Sequence, residues 1–78
     1  MEVEKIAAIA VDCGLKIHQQ LGPGMLESAY ESVLAHVLER RGLAVEQQKL
    51  VPIQFDGLVV EGGFRADLVV EGRLLIEL

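Results

Sequence analysis

The chain is poor in the residues that staple or mark many small proteins. Its single cysteine, Cys13, excludes an internal disulfide framework and a cysteine-built zinc site. One thiol also fits a reducing compartment. Tryptophan is absent and only Tyr30, Phe55 and Phe64 are aromatic, so Val, Leu, Ile and Ala must fill the core. No apolar run approaches the ~18 residues of a membrane span. The short apolar segment Ile6–Val11 lies between Glu2, Glu4 and Asp12, the wrong flanking charge for a signal peptide. A cytoplasmic protein is expected. Cations are also scarce: 7 Lys and Arg stand against 12 Asp and Glu, a net charge of -5. That balance weighs against a basic coat for indiscriminate nucleic-acid binding. It leaves room for a local site where a metal ion mediates contact with phosphate. No glycine-rich phosphate loop followed by Lys-Ser/Thr is present, and no serine nucleophile elbow.

What is there is a chain of 78 residues, 51% of them hydrophobic. That length makes one domain, residues 1–78, burying roughly 60% of its unfolded-chain surface. Val3, Ile6, Ala10, Cys13, Ile17 and Leu21 recur at helical spacing and predict a helix over residues 3–21. Gly22-Pro23-Gly24 ends it. Cys13 lies on the apolar stripe, and a buried structural thiol is its simpler reading. A second helix is expected from Leu26 to Arg41, closed by Arg40-Arg41-Gly42. His18 is read as a cap or surface residue near the end of the first helix. Tyr30 is read as a core aromatic whose hydroxyl reaches the edge.

After Gly42 the period changes to two. Val51, Ile53 and Phe55 predict a half-buried strand, with Pro52 requiring an edge or a bulge. Asp56-Gly57 suits a hairpin turn. Leu58–Val60 follows as a short strand, and Glu61-Gly62-Gly63 should break or bulge it. Phe64–Val70 and Leu74–Leu78 then form a last hairpin. The expected class is α+β, two N-terminal helices packed on an antiparallel meander of three or four strands. Because Leu74–Leu78 stops within an apolar strand, the domain is expected to be truncated at its C-terminus, or completed by another chain through that exposed terminal strand as a homo-oligomer.

The last hairpin carries two carboxylates that strands ordinarily avoid, Asp67 and Glu77. A two-residue loop, Glu71-Gly72, would set Asp67 opposite Ile76 and send the acids to opposite faces. A three-residue loop, Val70-Glu71-Gly72, would set Asp67 opposite Leu75 and place both acids on one face as diagonal neighbours, within reach of one divalent ion. The sequence permits either. On the residues alone, a cross-strand ion-pair cluster of Arg65, Asp67 and Glu77 is the simpler reading. Glu27, in the first turn of the second helix, gains about 0.3–1 kcal/mol from the helix dipole. The like-charged Glu31 one turn on offsets about 0.2–0.5 kcal/mol of that, so Glu27 needs no function to be tolerated.

Leu21-Gly22-Pro23-Gly24-Met25-Leu26-Glu27-Ser28-Ala29-Tyr30-Glu31, preceded by Ile17-His18, resembles the signature of the GxxExxY family, with Gly24, Glu27 and Tyr30 in the named positions. Arg65–Val70 and Leu75–Leu78 resemble its later blocks, so the resemblance covers nearly the whole chain. That family is grouped with the PD-(D/E)XK nuclease-like superfamily. The resemblance implies a metal-dependent nuclease core, hydrolysing phosphodiesters in nucleic acid with Mg²⁺ or Mn²⁺. It casts Glu27, Asp67 and Glu77 as catalytic acids, and Asp67, Glu77 and the Leu78 carbonyl as metal ligands. The lysine of the Glu-x-Lys motif would fall on the position after Leu78 and is absent from these residues, which implies an incomplete catalytic site. A non-catalytic binding or homo-oligomeric assembly module is the alternative.

Overall fold

A computed structural model describes residues 1–78. Two helices, α1 (Val3–Leu21) and α2 (Glu27–Arg40), precede three strands, β1 (Val45–Phe55), β2 (Leu58–Val70) and β3 (Leu74–Ile76). The strands form one antiparallel sheet in the order β1-β2-β3. The class is α+β, as the sequence pattern implies, with three strands. No helix is long and apolar enough to cross a membrane.

The helical stripe of α1 becomes a core face: Ile6, Cys13 and Ile17 are buried. They meet Leu34, Ala35 and Leu38 of α2, and Leu68 and Val70 of β2. The Cys13 thiol is thus a core side chain, fully enclosed. The end of α2 explains the return of the chain to the sheet. Gly42 takes φ 85°, a conformation costly for other residues, and its N–H donates to the Glu39 carbonyl. Leu43 N–H then donates to the Leu38 carbonyl, and both side chains join the core. This pair of bonds plus an apolar contact is a Schellman cap.

β1 begins at Val45, well before the first residue that alternation predicted. Glu46, Gln47, Gln48 and Lys49 carry no apolar period, yet pairing with the long β2 draws them into the sheet. Glu61-Gly62-Gly63 bulges β2 and does not break it. The register steps from Val51↔Phe64 to Ile53↔Val60, leaving Pro52 opposite that segment. Pro52 therefore sits both on an edge strand and beside a bulge. Gly63 is needed for space: a Cβ there would come within 2.8 Å of Ile53 Cδ1.

Candidate metal centre

The turn between β2 and β3 holds three residues, Glu71-Gly72-Arg73, because Val70 pairs with Leu74. Neither register considered from the sequence is the one adopted. Glu71 and Gly72 both have positive φ, 54° and 63°, and Arg73 N–H donates to the Val70 carbonyl. Glu71 is held on both sides: its N–H donates to the Ala44 carbonyl, and Ala44 N–H donates to Glu71 Oε2 at 2.6 Å. The odd loop length decides the faces. Leu68 and Val70 pair with Ile76 and Leu74 on the helix side, so Asp67 and Glu77 lie on the other face. Continued by one residue, the register sets Asp67 directly opposite Glu77. Beyond Ile76 the chain leaves the ladder, and Leu78 N–H donates to Asp67 Oδ2 at 2.8 Å.

The two acids sense each other. Glu77 is pushed above its ordinary value, first by partial loss of hydration, then by the Asp67 charge and a shared hydrogen bond with Asp67. No lysine or arginine relieves them. The ion pairs of the chain are Lys16 and Arg41 with Asp12, and Lys49 with Glu46. The ion-pair cluster expected for Arg65, Asp67 and Glu77 does not form, because Arg65 lies opposite Leu50 and past the end of β3.

The helix acid joined to Asp67 is Glu31, not Glu27. Gln48 Nε2 donates to Glu31 Oε1 at 2.7 Å and, over a longer 3.4 Å, to Asp67 Oδ1. Gln47 Nε2 donates to the other Glu31 oxygen at 3.0 Å. Sequence reasoning missed Glu31, Gln47 and Gln48. The one available signal was positional: extending β1 back to Val45 puts Gln48 opposite Asp67. Its φ of 51°, rare for a residue with a side chain, was not legible.

Glu27 is exposed at the start of α2. It lines an open cavity of about 640 Å³ with Met25, Leu26, Tyr30 and Leu78. Leu78 thus touches both sites, by its backbone and by its side chain. No group of three or more His, Cys, Asp or Glu side chains converges closely enough to enclose a metal ion. His18 is exposed, and its carbonyl accepts the N–H of Gly22.

A family model for the PD-(D/E)XK nuclease superfamily matches residues 4–78. The chain belongs to the PD-(D/E)XK nuclease superfamily. No curated protein and no solved structure matches it significantly. In this PD-(D/E)XK chain the donor set available to a metal is the Asp67–Glu77 pair. Hard oxygens of this kind suit Mg²⁺ or Mn²⁺. Mg²⁺ usually retains several waters and is held by one or two carboxylates, so a pair without a third acid fits it.

Proposed function

We propose that these residues carry the metal-binding acids of a GxxExxY-type PD-(D/E)XK nuclease, directed at phosphodiester bonds in nucleic acid. The observation that supports the reading is the approach of Asp67, on β2, and Glu77, one residue past the end of β3, with no lysine or arginine paired to either. Partial loss of hydration and then the Asp67 charge raise the Glu77 pKa, and a divalent ion would relieve the repulsion between the two acids. Asp67 and Glu77 would hold Mg²⁺ or Mn²⁺, with the Leu78 carbonyl as a further donor. The ion would supply charge stabilisation at the phosphate and an activated water. The chain's own residues do the positioning: Leu78 N–H and Gln48 orient Asp67, and Glu31 anchors Gln48. Glu27, across the open cavity, would meet substrate or solvent on the other side of Leu78. The Gly24, Glu27 and Tyr30 spacing supports the GxxExxY assignment.

Metal binding is the part of this proposal that these residues carry directly. A Mn²⁺ titration followed by calorimetry tests it: one ion per chain is expected, lost in Asp67→Asn and in Glu77→Gln. Binding unchanged in the double variant would overturn the metal site. The lack of a third converging acid favours a second reading, a non-catalytic binding module of the same fold. That reading gains if nucleic acid binds equally well with and without Mn²⁺.

A further inference from the structure

Arg65 stands two residues before Asp67 on β2, so the pleat sends both side chains to the same face of the sheet. Leu68 and Val70, of the opposite parity, join the core beneath the helices, which puts Arg65 and Asp67 on the face away from them. Two steps along a strand span about 7 Å. The β2–β3 register, continued to Glu77, also makes Arg65 a diagonal neighbour of that acid. Diagonal Cα atoms lie roughly 7–8 Å apart, within reach of a long side chain.

Despite that proximity Arg65 is in none of the chain's ion pairs. Both Asp67 oxygens already have donors: Oδ1 accepts from Gln48 Nε2 at 3.4 Å, and Oδ2 from Leu78 N–H at 2.8 Å. Leu50, the partner of Arg65 on β1, offers an apolar neighbour and no side-chain acceptor. Arg65 is exposed. The other cations are engaged or lie on other elements. Lys16 and Arg41 are held by Asp12 and Lys49 by Glu46, whereas Lys5 and Arg40 belong to the helices and Arg73 to the turn after β2. Arg65 is thus the uncommitted cation of the strands.

The charges identify what it would hold. Two carboxylates and one divalent ion cancel, so a phosphodiester entering beside them brings one uncompensated negative charge. A guanidinium supplies the missing positive charge, in a planar fork that fits two phosphate oxygens. In a chain of net charge -5, one well-placed cation must carry a large share of any phosphate contact. We propose that Arg65 is the phosphate-binding residue of this site, gripping the nucleic-acid backbone beside the Asp67–Glu77 pair. For the position of the phosphate this rests on the metal reading above; for Arg65 it rests on the register alone.

Fluorescence anisotropy tests this, with short labelled DNA and RNA oligonucleotides titrated by the full chain in Mn²⁺. Calorimetric Mn²⁺ titration of the same variants runs beside it. Arg65→Gln is expected to keep one Mn²⁺ per chain and the parent circular dichroism, while oligonucleotide binding weakens about tenfold. The slope of log affinity against log salt should also become shallower by about one. Lys5→Gln removes the same charge from α1, on the other side of the sheet, and should leave the affinity within about twofold. An affinity unchanged in Arg65→Gln, or lowered equally by Lys5→Gln, would overturn the proposal. So would a parent chain that binds Mn²⁺ but neither oligonucleotide, a result that leaves the metal site standing. Binding that depends on Arg65 in a chain that takes up no Mn²⁺ would support the phosphate contact and overturn the metal site.

Discussion

The hydroxyl of Tyr30 donates to the carbonyl oxygen of Gly14 at 3.3 Å, joining the first turns of α2 to the middle of α1. A Cβ at position 14 would stand 3.1 Å from that hydroxyl. The contact is close enough that residues 14 and 30 should not vary independently. Tyr30→Phe is expected to lower stability by about 0.5–1.5 kcal/mol. Gly14→Ala alone should gain little, because the helix preference for alanine is opposed by the clash. In the Tyr30→Phe background the same change should stabilise by about 0.5–1 kcal/mol. Urea unfolding of the four chains checks this. Equal effects of Gly14→Ala in the two backgrounds would refute the coupling.

Gln48 combines a left-handed backbone with two side-chain anchors, Glu31 and Asp67. Gln48→Ala and Gln48→Gly remove the same anchors but differ in backbone strain. The glycine variant should therefore be more stable than the alanine variant by about 1 kcal/mol. If chemical denaturation ranks them equally, φ at this position is not left-handed in solution.

Glu71 should govern the protection of a backbone amide on a different segment. Its carboxylate accepts from Ala44 N–H. In Glu71→Ala that amide loses its partner, at a cost of about 1 kcal/mol. Hydrogen exchange by NMR should show the Ala44 amide exchanging markedly faster, while amides of α1 keep their rates. Unchanged Ala44 protection would show that the side-chain bond is not formed.

Asp12 contributes to the acid limb of stability. Hydrogen bonds from Arg41 and then Lys16 hold its carboxyl below the usual carboxylate range. A folded value below the unfolded one means that its contribution is complete above pH 3.8 and is lost as pH falls through the lower, folded value. An NMR titration should place the Asp12 midpoint below 3.8. In Arg41→Gln that midpoint should rise, and stability should begin to fall at higher pH than in the parent chain.

Much of the fold was legible because it rests on period and punctuation. The stripe from Val3 to Leu21 fixed α1 to the residue, Gly42 marked the end of α2, and Pro52 announced both the edge and the bulge. What was not legible depended on pairing between distant segments. The polar run from Glu46 to Lys49 has no alternation of its own, and only β2 makes it a strand. The loop after Val70 was open even in parity, since Glu71-Gly72 supports both a two-residue and a three-residue turn, and the turn adopted, Glu71-Gly72-Arg73, is neither of the two registers the sequence offered. Of the site, Asp67 and Glu77 stood out because strands avoid acids. Glu31 looked like an ordinary helix acid beside Glu27, and its partners Gln47 and Gln48 become neighbours only once β1 is folded.

The three-residue turn Glu71-Gly72-Arg73 also has an evolutionary reading. Gaining or losing one residue there would turn Leu74 and Ile76 to water and Glu77 toward the helices, exchanging both sides of β3 at once. Selection should thus tolerate insertions and deletions at this turn only in twos. Relatives of this chain should differ from it here by even numbers of residues, while the tip at Asp56-Gly57, remote from the acids, should be freer to vary in length.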